Sequence, residues 1–264
     1  MTIPPTSFVT VGQFIHNIAM DFDLGLGWYF RGQSDASKPL LPKAGRQDYF
    51  CRATKTWGRR GQNSSDLGRF NEWRHNAVAI SNKLPTSDFE CLAYAQHYGL
   101  ATRLLDWSEN PLVSLFFAAE QQHDVDGVVF MHLPSIYLTD VENVKPEEVS
   151  SVALYRPRPF DRRIFAQQGV FTYHPNPSVP LEPVEIPSEQ KIWSDELNRE
   201  VPTGMNLRAV RVDARLKPSI LKQLANIGVS RSSLFPDLEG LSQHINWQTR
   251  GIPNRLDTIK SDDD

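Results

Sequence analysis

A chain of 264 residues can bury a core without disulfides or metal and is sized for one large domain or two small ones. With 40% hydrophobic, 22% charged and 10% aromatic residues, it has the balance of a folded globular protein, which excludes disorder over the whole length. Twenty-eight Lys and Arg against 31 Asp and Glu leave a formal charge of −3, too near neutrality for a protein that wraps nucleic acid through bulk phosphate attraction.

Cys51 and Cys91 stand far apart with no second pair nearby, so they read as two free, reduced thiols. The start, MTIPPTSFVTVGQF, has no basic region leading into an apolar run, and nowhere do about 18 apolar residues follow one another. The expectation is a cytoplasmic protein without a membrane segment.

In chain order, apolar residues at Phe8, Val11, Phe14, Ile15 and Ile18 fall on one helix face, with Thr6 and Ser7 available as caps. After the glycine turn at Gly25 and Gly27, Trp28-Tyr29-Phe30 has high strand propensity, and Arg31-Gly32-Gln33-Ser34 closes that strand. The segment Arg46 to Gly68 is polar, partly basic and without steady period, and reads as a long loop. Helical spacing returns from Leu67 to Leu84, and Ser87-Asp88-Phe89-Glu90 caps a second helix running through Tyr98.

Asn110-Pro111 opens a third, buried helix through Glu120. Gly127 to Leu133, Gly169 to Tyr173 and Leu207 to Val212 read as strands, and Pro218 to Ile227 as a helix stopped by Gly228. The proline-rich stretch 175–187 is a surface connection, and residues 260–264 end in a solvated acidic tail. Helical sequence first and strands later predict a single α+β domain over 1–264 with a mixed or antiparallel sheet.

Three segments carry chemistry. In Tyr29-Phe30-Arg31-Gly32-Gln33, an arginine at a strand's end has a planar fork suited to phosphate or carboxylate, and the glycine lets a ligand approach the backbone. The same arginine is equally suited to pairing a core carboxylate and pinning the strand. QHYGLATRLLDWSENPLVSLFFA sets His97, Tyr98, Thr102, Arg103, Asp106, Trp107, Ser108 and Asn110 between two helical stretches, a density of polar and stacking groups that builds pockets. RRIFAQQGVFT places Gln167 and Gln168 at the head of a strand, where an amide both donates to and accepts from a sugar hydroxyl.

His75, His97, His123, His132, His174 and His244 are scattered, without HExxH or a Cys-x-x-Cys pair, so no metal site is expected. The GxxxxGK[ST] phosphate loop, the GxGxxG fingerprint and the GxSxG elbow are absent, which disfavours the common nucleotide-binding and hydrolase folds they mark.

Phe30-Arg31-Gly32, the long central segment, RRIFAQQGVFT and LKQLANIGVSRSSLFPDLEGL occur in the order of the FRG domain family, which the chain resembles over about residues 22–244. Ala101 stands where that family usually has proline. More distantly, the order Arg31, His97, Gln167/Gln168 is similar to that of ADP-ribosyltransferase folds, which implies a split sheet and NAD as substrate.

By that resemblance Arg31, with Gly32 and Gln33, would hold the diphosphate, and His97 a ribose hydroxyl. Tyr98 or Trp107 would stack on nicotinamide, with Thr102, Arg103 and Gln167 completing the ligand site. Gln168 would stand in the place of a late glutamate, and because an amide offers only a dipole, Asp106, Glu109 or Asp161 would supply the missing charge.

The partners implied are a nucleotide, a macromolecular acceptor and, for a microbial toxin or phage-defence effector, a cognate antitoxin or defence partner. A nuclease-type toxin is the alternative, with Arg31 and Arg103 on phosphate and His97 as acid or base, since histidine side chains titrate near neutrality. A silent recognition module for a small ligand or protein is the third.

Overall fold

A computed structural model describes residues 8–21, 27–49, 65–81, 83–183, 192–194, 199–201 and 206–249. Thr6, Ser7, Gly25, Cys51, most of the expected 46–68 loop, the end of the proline-rich stretch and the acidic tail lie outside the described residues. The helices are α1 (Val11–Asp21), α2 (Asp66–Ala77), α3 (Asp88–His97), α4 (Pro111–Ala119), α5 (Arg162–Ala166), α6 (Lys217–Asn226), α7 (Arg231–Leu234) and α8 (Leu238–Thr249). The strands are β1 (Tyr29–Gln33), β2 (Leu104–Ser108), β3 (Gly127–His132), β4 (Tyr137–Leu138), β5 (Ala153–Tyr155), β6 (Gly169–Tyr173), β7 (Ile192–Ser194), β8 (Arg199–Val201) and β9 (Leu207–Val212).

Seven strands form one sheet in the order β4-β5-β6-β2-β1-β3-β9, and β7 pairs with β8 separately. Only β4 and β5 run parallel, so the fold is α+β with a mixed, mostly antiparallel sheet. Phe8, Val11, Phe14 and Ile18 of the predicted α1 face are buried with Phe30, Leu115, Met131 and Leu224, which places α1, α4 and α6 on one side of the sheet. Tyr29, Leu105, Trp107, Phe130 and Val170 build a second cluster, and α3 packs a third with Leu104, Phe171 and Tyr173.

Local rules account for several boundaries. Ser65, Ser87 and Asn110 cap α2, α3 and α4 through their side-chain oxygens. Thr10 caps α1: its Oγ1 accepts from the Gln13 N–H at 3.1 Å, while Gln13 Oε1 accepts from the Thr10 N–H at 3.2 Å. Gly228, at φ +87°, stops α6 as expected.

Four expectations are corrected. Arg31 is the third of five residues in β1 and not its end. The stretch between α3 and α4 contains β2, whose LLDWS sequence lacks alternation because the strand is buried on both faces apart from Asp106. α2 stops at Ala77, short of Leu84, leaving Val78 and Ile80 in solvent although Ile80 matched the helical period. Finally, α7 and α8 follow α6 where no helix was expected.

The central pair of strands positions the site. β1 pairs with β3 at five positions and β2 with β6 at five, but β1 and β2 meet only at Phe30 and Ser108. Continuing that register would set Gly32 opposite Asp106; instead the strands part, and the sheet opens between them. Helix α4 covers this region closely, resting on Gly32 of β1 and on Gly127.

Candidate functional site

The opening between β1 and β2 floors a cleft of about 880 Å³, walled by segment 41–48, the end of α3, α4, α5 and Phe235. The segments singled out in the sequence converge on it through Arg31, Gly32, Gln33, His97, Asp106, Trp107 and Gln167. Four cations (Arg31, Lys38, Arg46, Arg163) face four carboxylates (Asp35, Asp48, Asp106, Glu120), so the lining is balanced in charge.

Arg31 occupies the opening. Its Nη1 donates to the Asp106 carbonyl at 2.8 Å and lies 2.6 Å from the same residue's carboxylate Oδ2. One guanidinium nitrogen thus takes the carbonyl that a continued ladder would have used and fixes the side chain beside it. The Arg31 side chain is 10% exposed, whereas that of Asp106 is 64% exposed. Asp106 therefore belongs to the cleft and not to the core. Desolvation by the surrounding cleft walls pushes its carboxyl up, but the Arg31 charge outweighs this and holds it below the ordinary carboxylate range.

His97, the last residue of α3, sets Nε2 3.4 Å from Oδ2 of Asp161, which caps α5 by accepting from the Arg163 N–H at 2.7 Å. Gln167 closes α5; its amide donates to the Leu234 carbonyl at 3.1 Å, and its own carbonyl accepts from Ser108 Oγ at 2.7 Å. Trp107 reaches the cleft wall but is largely buried, with Nε1 donating to Thr172 Oγ1 at 2.9 Å. Gln33 donates from Nε2 to the Lys38 carbonyl at 3.2 Å and holds the turn after β1.

Seven other residues named from the sequence do not line the cleft: Tyr98, Thr102, Arg103, Glu109, Asn110, Asp161 and Gln168. Tyr98 caps α3 and turns its ring outward, packed edge-on against His97. Thr102 is buried, where its hydroxyl accepts from the Leu104 N–H at 3.2 Å. Arg103 pairs with Asp66 at 2.7 Å and also donates to the Tyr173 hydroxyl and the Pro175 carbonyl, which ties α2 to the sheet. Gln168 turns the chain from α5 into β6 with φ +48°, its side chain exposed.

Gly32 also has a different reason from the one its sequence context gave. It lines the cleft, but its missing side chain makes room for the α4 backbone and not for a ligand.

Sequence reasoning missed Arg46. It stands at the first residue of the stretch read as a long loop, and the residues just before it are pinned: the Ala44 N–H donates to Thr102 O at 3.0 Å, Leu181 N–H to Leu40 O at 3.0 Å, and Lys43 Nζ to Gly99 O at 3.2 Å. The short 3-10 turns around it carry no periodic signal. Among the described residues no group of three or more His, Cys, Asp or Glu is placed to hold a metal ion, and no helix is long and apolar enough to cross a membrane.

Residues 27–127 match the family model of the FRG domain. The match runs from the residues before β1 to the start of β3 and contains Arg31, Arg46, His97 and Asp106. It stops before RRIFAQQGVFT, so it is shorter than the resemblance expected from the sequence. No curated protein and no solved structure matches the chain.

The three letters of the FRG tripeptide have separate physical duties here. Phe30 is buried in the cluster with α1 and α4, Arg31 fills the sheet opening, and Gly32 admits α4.

Proposed function

We propose that the cleft of this FRG domain binds a nucleotide of the NAD class and that the protein is an ADP-ribosyltransferase-like enzyme, transferring ADP-ribose or hydrolysing NAD. The observation that carries this reading is Asp106: an ionised, solvent-facing carboxylate on the cleft floor, fixed by Arg31 at 2.6 Å.

Cleavage of the nicotinamide–ribose bond sends the bond pair to the nicotinamide nitrogen and leaves an oxocarbenium-like ribosyl cation. Water or an acceptor nucleophile adds to that carbon and loses a proton. A preorganised negative charge beside the ribosyl carbon stabilises this transition state where an amide offers only a dipole. Asp106 takes the role for which Gln168, outside the cleft, is badly placed. His97 and Gln167 supply hydrogen-bonding groups for ribose hydroxyls from the cleft wall.

The parting of β1 and β2 within one seven-stranded sheet, with an arginine in the gap, supports the same reading by analogy with the split sheet that the ADP-ribosyltransferase resemblance implies. A silent recognition module is disfavoured by the exposed Asp106 carboxylate and by Arg46, which has no carboxylate partner among the described residues. Calorimetric titration of NAD and ADP-ribose into the purified chain tests the reading; it expects saturable binding, and absence of heat at millimolar ligand overturns it.

One observation favours a second reading. The imidazole of His97 is held by the Asp161 carboxylate at the cleft edge, the arrangement of a general acid or base acting on a phosphodiester. The balanced lining speaks against a polyanionic substrate. Survival of RNA and DNA through prolonged incubation, with and without divalent metal, eliminates it.

A further inference from the structure

We infer that Arg46 is the group that holds the anionic part of the ligand in this cleft, and that Arg31 is a positioning residue for Asp106. The assignment rests on the nucleotide reading only for the identity of the anion.

The two guanidiniums differ in what they have left to offer. Arg31 is sunk in the sheet opening, 10% exposed, with its charge met by Asp106 and one nitrogen committed to two oxygens of that residue. Arg46 faces solvent from the cleft wall, and its hydrogen-bond partner is the Leu41 carbonyl, reached at 3.4 Å from Nε and 3.3 Å from Nη2. These are long contacts to a neutral acceptor, and no carboxylate among the described residues lies within ion-pair distance of it. A planar fork left uncompensated at a cleft wall is suited to the paired oxygens of a phosphate or carboxylate.

The surroundings sharpen the distinction. Protein walls around Arg46 lower its pKa, and the charge of Arg31 lowers it further, so the cation gains by receiving an anion. Asp106 offsets this in part but is already held by Arg31.

The segment bearing Arg46 is not free to swing away. Backbone bonds from Ala44 to Thr102 and from Leu181 to Leu40 pin it, and Gly45 lies so close to Pro177 that a β-carbon would stand 1.7 Å from the Pro177 carbonyl oxygen. Lys38, 69% exposed and 3.8 Å from Asp35, gives a second and looser cation on the same cleft.

The experiment titrates inorganic pyrophosphate and, separately, NAD into the wild-type chain, Arg46→Gln and Arg31→Lys, with the Asp106 carboxyl titration followed by carbon-13 NMR. Arg46→Gln is expected to weaken pyrophosphate by about tenfold or more in Kd while its unfolding midpoint stays at the wild-type value. Arg31→Lys is expected to keep pyrophosphate affinity within about threefold and to raise the Asp106 titration, a change that loss of general packing would not produce.

Unchanged pyrophosphate affinity in Arg46→Gln, or absence of pyrophosphate binding to the wild type, overturns the inference. So does loss of pyrophosphate affinity in a folded Arg31→Lys; if that variant does not fold, Arg46→Gln decides alone. Binding of pyrophosphate through Arg46 with no binding of NAD would leave this inference standing and defeat the nucleotide reading instead.

Discussion

Gly32 and Ser114 lie in such close contact that a β-carbon built on the glycine would stand 1.9 Å from the serine's carbonyl oxygen and 2.6 Å from the Ala118 nitrogen. Both obstacles are α4 backbone, which no rotamer change can move. Gly32→Ala is therefore expected to push α4 off the central strand and to destabilise the fold by about 3 kcal/mol or more, at the upper end for overpacking. Urea unfolding of the variant checks this; a loss under about 1 kcal/mol would contradict it.

Acid stability follows from two buried histidines. His132, with Nδ1 3.0 Å from the Asn206 carbonyl, is pushed down to about 4, and His174, beside Thr172, to about 3, in both cases chiefly by burial. The native state keeps both neutral while the unfolded chain protonates them below its ordinary histidine value. Stability is thus fully present above about pH 6.5 and falls as the pH drops toward the native values, by about 2 kcal/mol per histidine at pH 5. Urea midpoints at pH 7 and pH 5 measure the loss, and His174→Gln should flatten it. A midpoint insensitive to pH over that range contradicts the account.

Lys217 is fully buried, and its ammonium donates to the carbonyls of Ser34 at 2.6 Å, Gln121 at 3.1 Å and Gln122 at 2.8 Å. The clamp ties the turn after β1 to the chain leaving α4, two walls of the cleft. Lys217→Met leaves three carbonyls without their donor and is expected to cost about 3 kcal/mol. Hydrogen exchange should show the added opening first in residues 34–38 and 120–122; protection unchanged there would count against the clamp.

Gln168 sits at φ +48°, a conformation that costs an ordinary residue about 1 kcal/mol and a glycine nothing. Since glycine also gives the unfolded chain more freedom, Gln168→Gly is expected to change stability by less than about 1 kcal/mol. Its side chain lies outside the cleft, so NAD affinity should not move. A marked loss of NAD binding would return Gln168 to the ligand site.

Much of the fold was legible where a local rule acts alone. The apolar face of α1, the serine cap of α3, the Asn-Pro start of α4 and the glycine stop of α6 are all decided within a few residues. β2 was hidden because burial on both faces erases alternation, and Ile80 misled because it kept helical spacing beyond the last packed turn.

In the site, the convergence of Arg31, His97, Asp106 and Gln167 was anticipated as a set of polar groups, but their partners were not. Arg31 and Asp106 are separated by 75 residues, and their contact depends on two strands failing to pair, which no local pattern encodes. Arg46 emerged only from tertiary pinning of an aperiodic segment.

Release of nicotinamide from NAD, compared between the wild type and Asp106→Asn, tests the central claim most directly. The wild type is expected to release nicotinamide. The variant should bind NAD but release it about a hundredfold more slowly, since an amide replaces the charge on the cleft floor. Equal release from both proteins, or none from the wild type at saturating NAD, would contradict the assignment of Asp106 as the charge that drives the reaction.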